Sequence, residues 1–150
     1  MRRTFTLPFN ERRRLHDRAH RAQQRDQSEV CGGVAVDTHR RITLHFLQNR
    51  SDRPGHFELD HGDLRRLQRE LRGAGLQFLG IFHSHVVGIA ELSPGDLAGA
   101  GLSHLQLVYD VCGREARLWR VVKQGRELSA REVPLIIERR PLTRRWSRLA

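Results

Sequence analysis

Two histidines, a serine and an aspartate at short, fixed spacing constrain this chain more than any other feature. His83 and His85 are one residue apart, Ser93 follows after seven further residues, and Asp96 after two more. They come directly after Leu76–Phe82, a short run of bulky apolar side chains that is typical of a buried strand. Because side chains at i and i+2 of a strand point to one face, the two imidazoles can converge on one ion.

The residues around Asp96 are typical of a helix start. Ser93 suits the N-cap, Pro94 the first helical position and Asp96 the third, which turns a carboxylate back toward the strand end. Two neutral imidazoles and one carboxylate make a catalytic zinc set that leaves a fourth position for water. The sequence therefore predicts about one Zn²⁺ per chain, held by His83, His85 and Asp96. A capping box without metal also explains Ser93 and Asp96, but it leaves the histidine pair unexplained.

A zinc-activated water needs a base, and Glu29 is the candidate. It begins the apolar run Glu29–Val36, which predicts a second strand. The alternative is a surface charge at a strand end, the usual place for an unpaired glutamate. Together with the histidine pair, the acid beside a buried run favours the catalytic interpretation.

The five residues also match a known signature. They are Glu29, His83, His85, Ser93 and Asp96. This pattern, an upstream glutamate followed by H-x-H, seven residues and S-x-x-D, resembles that of the JAMM metalloprotease family, also called MPN+ or JAB domains. The resemblance extends over about residues 4–123 and includes the apolar segments that flank the glutamate and the histidines. Val86 departs from the pattern, because many members carry proline directly after the second histidine.

The resemblance implies a fold, an activity and partners. The implied fold is α+β, a mixed sheet between helices in an α-β-α layering like that of cytidine deaminases, in a minimal prokaryotic form. The implied activity is hydrolysis of an isopeptide or peptide bond after the C-terminal tail of a ubiquitin-like protein or sulfur carrier, with E1-like or E2-like proteins as further partners. Glu29 would then be the general base, and Ser93 would donate its hydroxyl to the developing oxyanion. An inactive binding module of the same fold is the alternative.

The segment Val86–Leu92, between the strand and the helix, is unusually apolar for a connector. We expect Val87, Gly88 and Ile89 to line a groove for an extended substrate tail, with the glycine allowing close approach of the substrate backbone. The alternative is that these residues pack under the short helix that begins at Pro94.

Composition limits the organisation of the chain and its other partners. A length of 150 residues suits one domain, predicted over 1–138, followed by a basic tail over 139–150. The net charge of +10 and pI near 11.4 raise nucleic acid as a partner. Lys123 is the only lysine, however, and the arginines are spread along the chain, which favours a solvated surface over nucleic-acid binding.

The two cysteines and the absence of long apolar runs concern the compartment. Cys31 and Cys112 both fall in apolar runs, which predicts buried thiols in a reducing compartment. No stretch has the length of a membrane span, and the first residues have no apolar signal core. We therefore expect a cytoplasmic protein with no membrane partner.

Periodicity predicts the remaining elements of a mixed sheet with flanking helices. The predicted strands are Thr4–Leu7, Glu29–Val36, Arg41–Leu47, His56–Leu59, the run Leu76–Phe82 that precedes the histidines, Leu105–Cys112, Ala116–Lys123 and Arg131–Ile137. Residues 127–130 are ambiguous. Asn10 is the predicted cap of a helix over Glu11–Gln24 with the buried stripe Leu15, Ala19 and Ala22. Asp60 is the predicted cap of a helix to Arg72 with the stripe Leu64, Leu67 and Leu71, and the third helix spans Pro94–Ala100.

Overall fold

A six-stranded mixed sheet is the centre of the computed structural model, which describes residues 4–98 and 105–141. The elements in chain order are β1 (Phe5–Leu7), α1 (Phe9–Asp26), β2 (Cys31–Val36), β3 (Ile42–Leu47), α2 (His61–Gly73), β4 (Gln77–His85), α3 (Pro94–Ala98), β5 (Leu105–Asp110), β6 (Glu115–Gln124), β7 (Glu127–Val133) and β8 (Leu135–Ile137). The sheet order is β3-β2-β4-β5-β6-β7, and β1 and β8 form a separate parallel pair. The predicted α+β class is confirmed.

The parallel pairing of β4 with β5 determines where the site lies. Every other neighbouring pair in the large sheet is antiparallel, and β4 and β5 are in register from Gly80 opposite Leu105 to His85 opposite Asp110. Parallel neighbours cannot be joined by a tight hairpin, so the chain must cross from the end of one strand back to the start of the next. That crossover contains α3 and brings it beside the end of β4.

Helices cover both faces of the sheet. On one face Leu15 and Ala19 of α1 pack into the main core with Phe82 and other buried side chains. On the other face Leu67 and Leu71 of α2 pack on a smaller cluster. The predicted stripe of α1 is fully buried. In α2 Leu67 and Leu71 are buried and Leu64 is half-buried.

A glycine in β2 allows α2 to lie close to the sheet. A Cβ at Gly33 would collide with the side chain of Leu67, so that side chain would have to leave its place on the sheet for any other residue. At the N-terminal end of the same helix, the Asp60 side chain accepts a hydrogen bond from the Asp63 N–H at 2.9 Å. The predicted cap at Asp60 is confirmed, and with it the start of α2.

Several predicted boundaries are wrong for local reasons. α1 begins at Phe9 with extended Pro8 as its N-cap, and the side chain of Asn10 makes no capping bond, because the chain already turns into the helix one residue earlier. β2 begins at Cys31, since the Val30 N–H donates to the Ser84 hydroxyl instead of continuing the ladder. The histidines lie inside β4, because its pairing with β5 continues through His85.

Three further predictions need correction. The predicted strand His56–Leu59 is irregular, because Asn49 takes the main-chain contacts that a neighbouring strand would make. The predicted strand Arg131–Ile137 divides at Pro134, which has no N–H for a ladder, and β7 instead starts at Glu127. Cys31 is buried as expected, but Cys112 is exposed in the turn after β5.

The described residues reach only the beginning of the predicted basic tail. Glu138 still belongs to the packed domain, because its carboxylate accepts two hydrogen bonds of 2.9 Å from Arg41. The boundary after 138 stays a prediction, and most of the basic tail and the predicted end of the third helix at Ala100 lie outside the described residues. None of the helices in the described part of the chain is long and apolar enough to cross a membrane.

Candidate metal centre

His83, His85 and Asp96 bring three ligand atoms to one point. The two histidine Nε2 atoms are 3.0 Å apart, and each lies 3.2 Å from the Asp96 Oδ2 atom. Ligands about 2.0–2.1 Å from a tetrahedral zinc ion lie about 3.3 Å from one another, which is close to these three distances. The geometry that β4 and α3 impose therefore suits a small metal ion, and the three residues form a group that can hold one.

Hydrogen bonding fixes the protonation of His85. Its Nδ1 atom lies 2.8 Å from the carbonyl oxygen of Ile89, which can only accept, so the proton is on Nδ1. In the neutral ring the Nε2 atom then carries the lone pair that faces the ligand group, which is the arrangement that metal-binding histidines need. His83 is fully buried, and the ring of Phe57 stacks on it at 4.3 Å between centroids.

Burial and hydrogen bonds act on the charges of the three residues. Burial lowers the pKa of His83 and so favours its neutral form. Burial also lowers the pKa of His85, but hydrogen bonds to Asp96 and Ile89 outweigh it and raise the pKa. For Asp96, burial raises the pKa, yet hydrogen bonds with both histidines lower it well below its usual range. Asp96 is therefore an ionised carboxylate facing two imidazoles.

Glu29 lies beside this group as a buried acid. It is 6% exposed, and it lines the same cleft of about 820 Å³ as His85, Ser93 and Asp96. Burial raises its pKa to about 8, while the charge of His85 opposes this shift and that of Asp96 adds to it. An acid with a pKa near neutrality in a cleft can both take and return a proton, which suits general acid–base chemistry.

Ser93 and Asp96 satisfy each other at the start of α3. The Ser93 N–H donates to Asp96 Oδ2 at 2.9 Å, and the Asp96 N–H donates to Ser93 Oγ at 3.1 Å. Capping therefore uses a lone pair of the serine hydroxyl and leaves its proton free to donate elsewhere. Capping and donation to an oxyanion are therefore compatible for Ser93 in this geometry.

Comparisons with known proteins agree with this arrangement. The profile of prokaryotic homologues of the JAB domain matches residues 12–122, which is most of the chain. This chain belongs to the prokaryotic JAB family. The predicted resemblance is thus confirmed for the family, and the comparisons below extend it.

Two similar proteins are informative. A desampylase of Pyrococcus furiosus is 34% identical over 71 residues, a match that covers 47% of this chain and 51% of the relative. The match therefore extends over about half the length of that curated protein. A solution structure of a Desulfitobacterium hafniense protein has a TM-score of 0.73 at 22% identity and covers 92% of this chain and 95% of its own. At that identity the similarity shows the fold.

The segment between β4 and α3 of this JAB domain is partly packed and partly exposed. Val86 and Ala90 are buried, and their carbonyl oxygens accept hydrogen bonds of 2.8 Å from Gln23 and Trp119. Val87 and Ile89, in contrast, are 88% and 61% exposed. Gly88, between them, has φ of +120°, a conformation that favours glycine. Val87 also lines the cleft, whereas Gly88 and Ile89 are not among its lining residues, and the predicted contact of these three residues with a substrate tail stays a prediction.

Asn49 is a residue of the JAB site that the sequence did not single out. Its side-chain amide donates 2.9 Å hydrogen bonds to the carbonyl oxygens of Glu29 and His56, and its Oδ1 atom accepts from the N–H groups of Ser51 and Glu58. It thereby ties the irregular segment after β3 to the backbone of the buried acid. A lone asparagine in a polar stretch has no spacing signal, so only the structure identifies it.

Asn49→Asp should remove the two hydrogen bonds that the side chain donates and keep the two that it accepts. Aspartate keeps the two acceptor contacts of Oδ1 but replaces the amide donor with an oxygen that faces two carbonyl oxygens. We expect about 1–3 kcal/mol lower unfolding free energy and at least about tenfold lower kcat, because Glu29 is displaced. Urea denaturation and single-turnover kinetics measure the two effects. Asn10→Asp, at an exposed position on α1, is the matched control; equal kinetics in both variants would contradict the positioning role.

Proposed function

We propose that this JAB domain is a zinc-dependent peptidase that hydrolyses the amide bond after the C-terminal tail of a ubiquitin-like or sulfur-carrier protein. The observation that carries the proposal is the triangle of ligand atoms from His83, His85 and Asp96, with sides of 3.0–3.2 Å, beside the buried Glu29. Membership of the JAB family and the partial match to a desampylase support the substrate class. E1-like or E2-like proteins are the further partners that this class implies.

Each residue has a role that its surroundings support. His83, His85 and Asp96 would hold a zinc ion, which would supply Lewis-acid chemistry for the attack of water on an amide. The Glu29 carboxylate accepts a proton from that water and returns it to the leaving amine, and a nearby dication would oppose the upward shift of its pKa. The Ser93 hydroxyl, whose proton capping leaves free, donates to the carbonyl oxygen as negative charge develops on it.

A cleavage panel tests the proposed function. The substrates are ubiquitin-like and sulfur-carrier proteins from bacteria, archaea and eukaryotes, each joined at its C terminus by an amide to a fluorescent lysine peptide or to a linear extension. We expect the zinc-loaded protein to cleave at least one of them after the final residue of the tail, with loss of activity on chelation and recovery on adding zinc. No cleavage of any substrate by zinc-loaded protein would contradict the proposal.

The exposed part of the loop provides a separate prediction about substrate binding. We propose that Val87, Gly88 and Ile89 contact the substrate tail, because Val87 lines the cleft and Ile89, two residues further along, is also an exposed apolar side chain. Val87→Asp and Ile89→Asp should each raise KM by about tenfold for a cleaved substrate, with unchanged zinc content. Ile136→Asp is the matched control, because it changes a 55% exposed isoleucine outside the cleft. Normal KM in both loop variants would place the tail elsewhere.

A further inference from the structure

Gln106 is a buried polar residue in the cleft that none of the roles above uses. It lies on β5, is 3% exposed, and lines the same cleft as Glu29 and Asp96. Its Oε1 atom is buried and has no hydrogen-bond partner among the described residues. A buried amide oxygen without a partner is costly, so a methionine or leucine would serve folding better at this position.

The neighbours of Gln106 in the sheet do not satisfy it. In register it lies opposite Ile81 of β4 and Trp119 of β6. Ile81 has no polar side-chain atom, and the indole N–H of Trp119 already donates to the carbonyl oxygen of Ala90 at 2.8 Å. Within the described part of the chain the side-chain oxygen of Gln106 therefore has no donor, and it can accept from one that enters the cleft.

The register also gives the offset along the strand direction between Gln106 and the ligand His83. Ile81 lies two residues before His83 on the same strand, and side chains at i and i+2 share a face. Two residues of strand correspond to about 7 Å, which is also the length of two residues of an extended peptide. Phe57, Leu59 and Leu64 line the cleft as well and give it apolar walls.

We propose that Gln106 binds the main chain of the substrate: its side-chain oxygen accepts the N–H of an extended residue about two positions from the hydrolysed bond. This inference rests on the proposed function and assigns a subsite of the same cleft. The ligand chemistry is a peptide N–H, flanked by an apolar side chain that packs on the cleft walls. Gln106 thus fixes the depth and register of the tail, and Glu29 and the ligand group act on the bond that this register presents.

Binding to an uncleaving protein tests the inference apart from turnover. The probes are fluorescein-labelled peptides of the last ten residues of each protein in the panel, titrated by fluorescence anisotropy into zinc-loaded Glu29→Gln protein. Adding Gln106→Met, which keeps the length but removes the acceptor, should raise Kd by about tenfold. Gln106→Glu retains an acceptor oxygen and should bind within about threefold of Gln106. Gln77→Met, at an exposed position of β4, is the matched control and should change nothing.

Backbone N-methylation identifies the donor. Each peptide that binds is prepared with one N–H at a time replaced by N-methyl. One position should weaken binding to the protein with Gln106 by about tenfold and should cause no further loss with Gln106→Met, because both changes remove the same hydrogen bond. Independent losses at every position would overturn the role of Gln106.

The melting temperature of the Gln106→Met variant provides a test that does not depend on the proposed function. Since the Oε1 atom has no partner among residues 4–98 and 105–141, Gln106→Met should melt at the same temperature as the unaltered chain or higher. A melting temperature lower by several degrees would show a structural partner for the amide and overturn the inference. Peptides that bind without sensitivity to Gln106→Met overturn the Gln106 subsite alone, whereas cleavage of no panel protein and binding of no peptide contradicts both proposals.

Discussion

Glu29→Gln is expected to lower kcat by about 10²–10⁴ and to leave the zinc content unchanged. Glutamine has the size of glutamate, but its amide does not accept a proton near neutral pH. The change therefore removes the base and little else. Glu29 lies outside the triangle of His83, His85 and Asp96, so the metal should remain bound. Single-turnover cleavage together with metal analysis by mass spectrometry measures both properties. Loss of zinc would make Glu29 a ligand, and near-normal turnover would remove it from the mechanism.

The exposed Glu58 provides the control for this change. Its carboxylate does not line the cleft, so Glu58→Gln changes the net charge by the same amount as Glu29→Gln without altering the site. Equal losses of kcat in the two variants would point to a general electrostatic effect. A loss confined to Glu29→Gln would assign the effect to the buried acid.

The pH dependence of stability tests the burial of Glu29 without any turnover. In metal-free protein burial raises the pKa of Glu29 from 4.5 to about 8, so its protonated form is the favoured one in the fold. Such a group contributes stability that is complete below pH 4.5 and is lost as the pH rises through about 8. Glu29→Gln avoids this loss, so its unfolding free energy relative to the unaltered chain should increase from about pH 5 to about pH 9. Urea denaturation with a chelator measures it, and a difference that is constant with pH would contradict the burial.

The sequence predicted the metal triangle because its geometry is local. His83 and His85 are separated by one residue, and Asp96 lies in the first turn of the next helix, so strand and helix periodicity alone bring them together. Glu29 is distant in sequence and was found through the chemistry that a base must supply and through the family signature. In the structure it lies next to the site because β2 pairs with β4, with Cys31 opposite His83.

Asn49 and Gln106 could not have been found in this way. The role of Asn49 depends on the irregular path of the segment after β3, which returns to the start of β2. The role of Gln106 depends on the register of two parallel strands joined by a long crossover, and hydrophobic periodicity does not encode that register. Both are polar side chains whose meaning comes from the groups opposite them in space. The same limit explains why the pairing of β8 with β1 was missed, whereas the division at Pro134 could have been predicted, because proline has no N–H for a ladder.

Replacing the ligand residues is expected to weaken zinc binding strongly and to reduce cleavage with it. The protein should purify with about one zinc ion per chain, and His83→Ala/His85→Ala should retain less than about a tenth of that amount. Asp96→Asn is the sharper variant, because asparagine keeps the size and one oxygen of the side chain but loses the negative charge. With two neutral imidazoles left, zinc affinity should fall by at least about 100-fold, and cleavage should fall in proportion to the occupied fraction.

The reason for this sensitivity lies in how the three ligands are held. His85 is oriented by its bond to the Ile89 carbonyl oxygen and His83 by complete burial, so neither imidazole can swing to compensate for a lost partner. His20→Ala/His39→Ala removes two exposed histidines outside the site and is the matched control, expected to keep full zinc content. Stoichiometric zinc in His83→Ala/His85→Ala, measured by mass spectrometry after gel filtration, would place the metal elsewhere. Competition with a chromophoric chelator then gives the affinity of Asp96→Asn, and an unchanged value would exclude the carboxylate as a ligand.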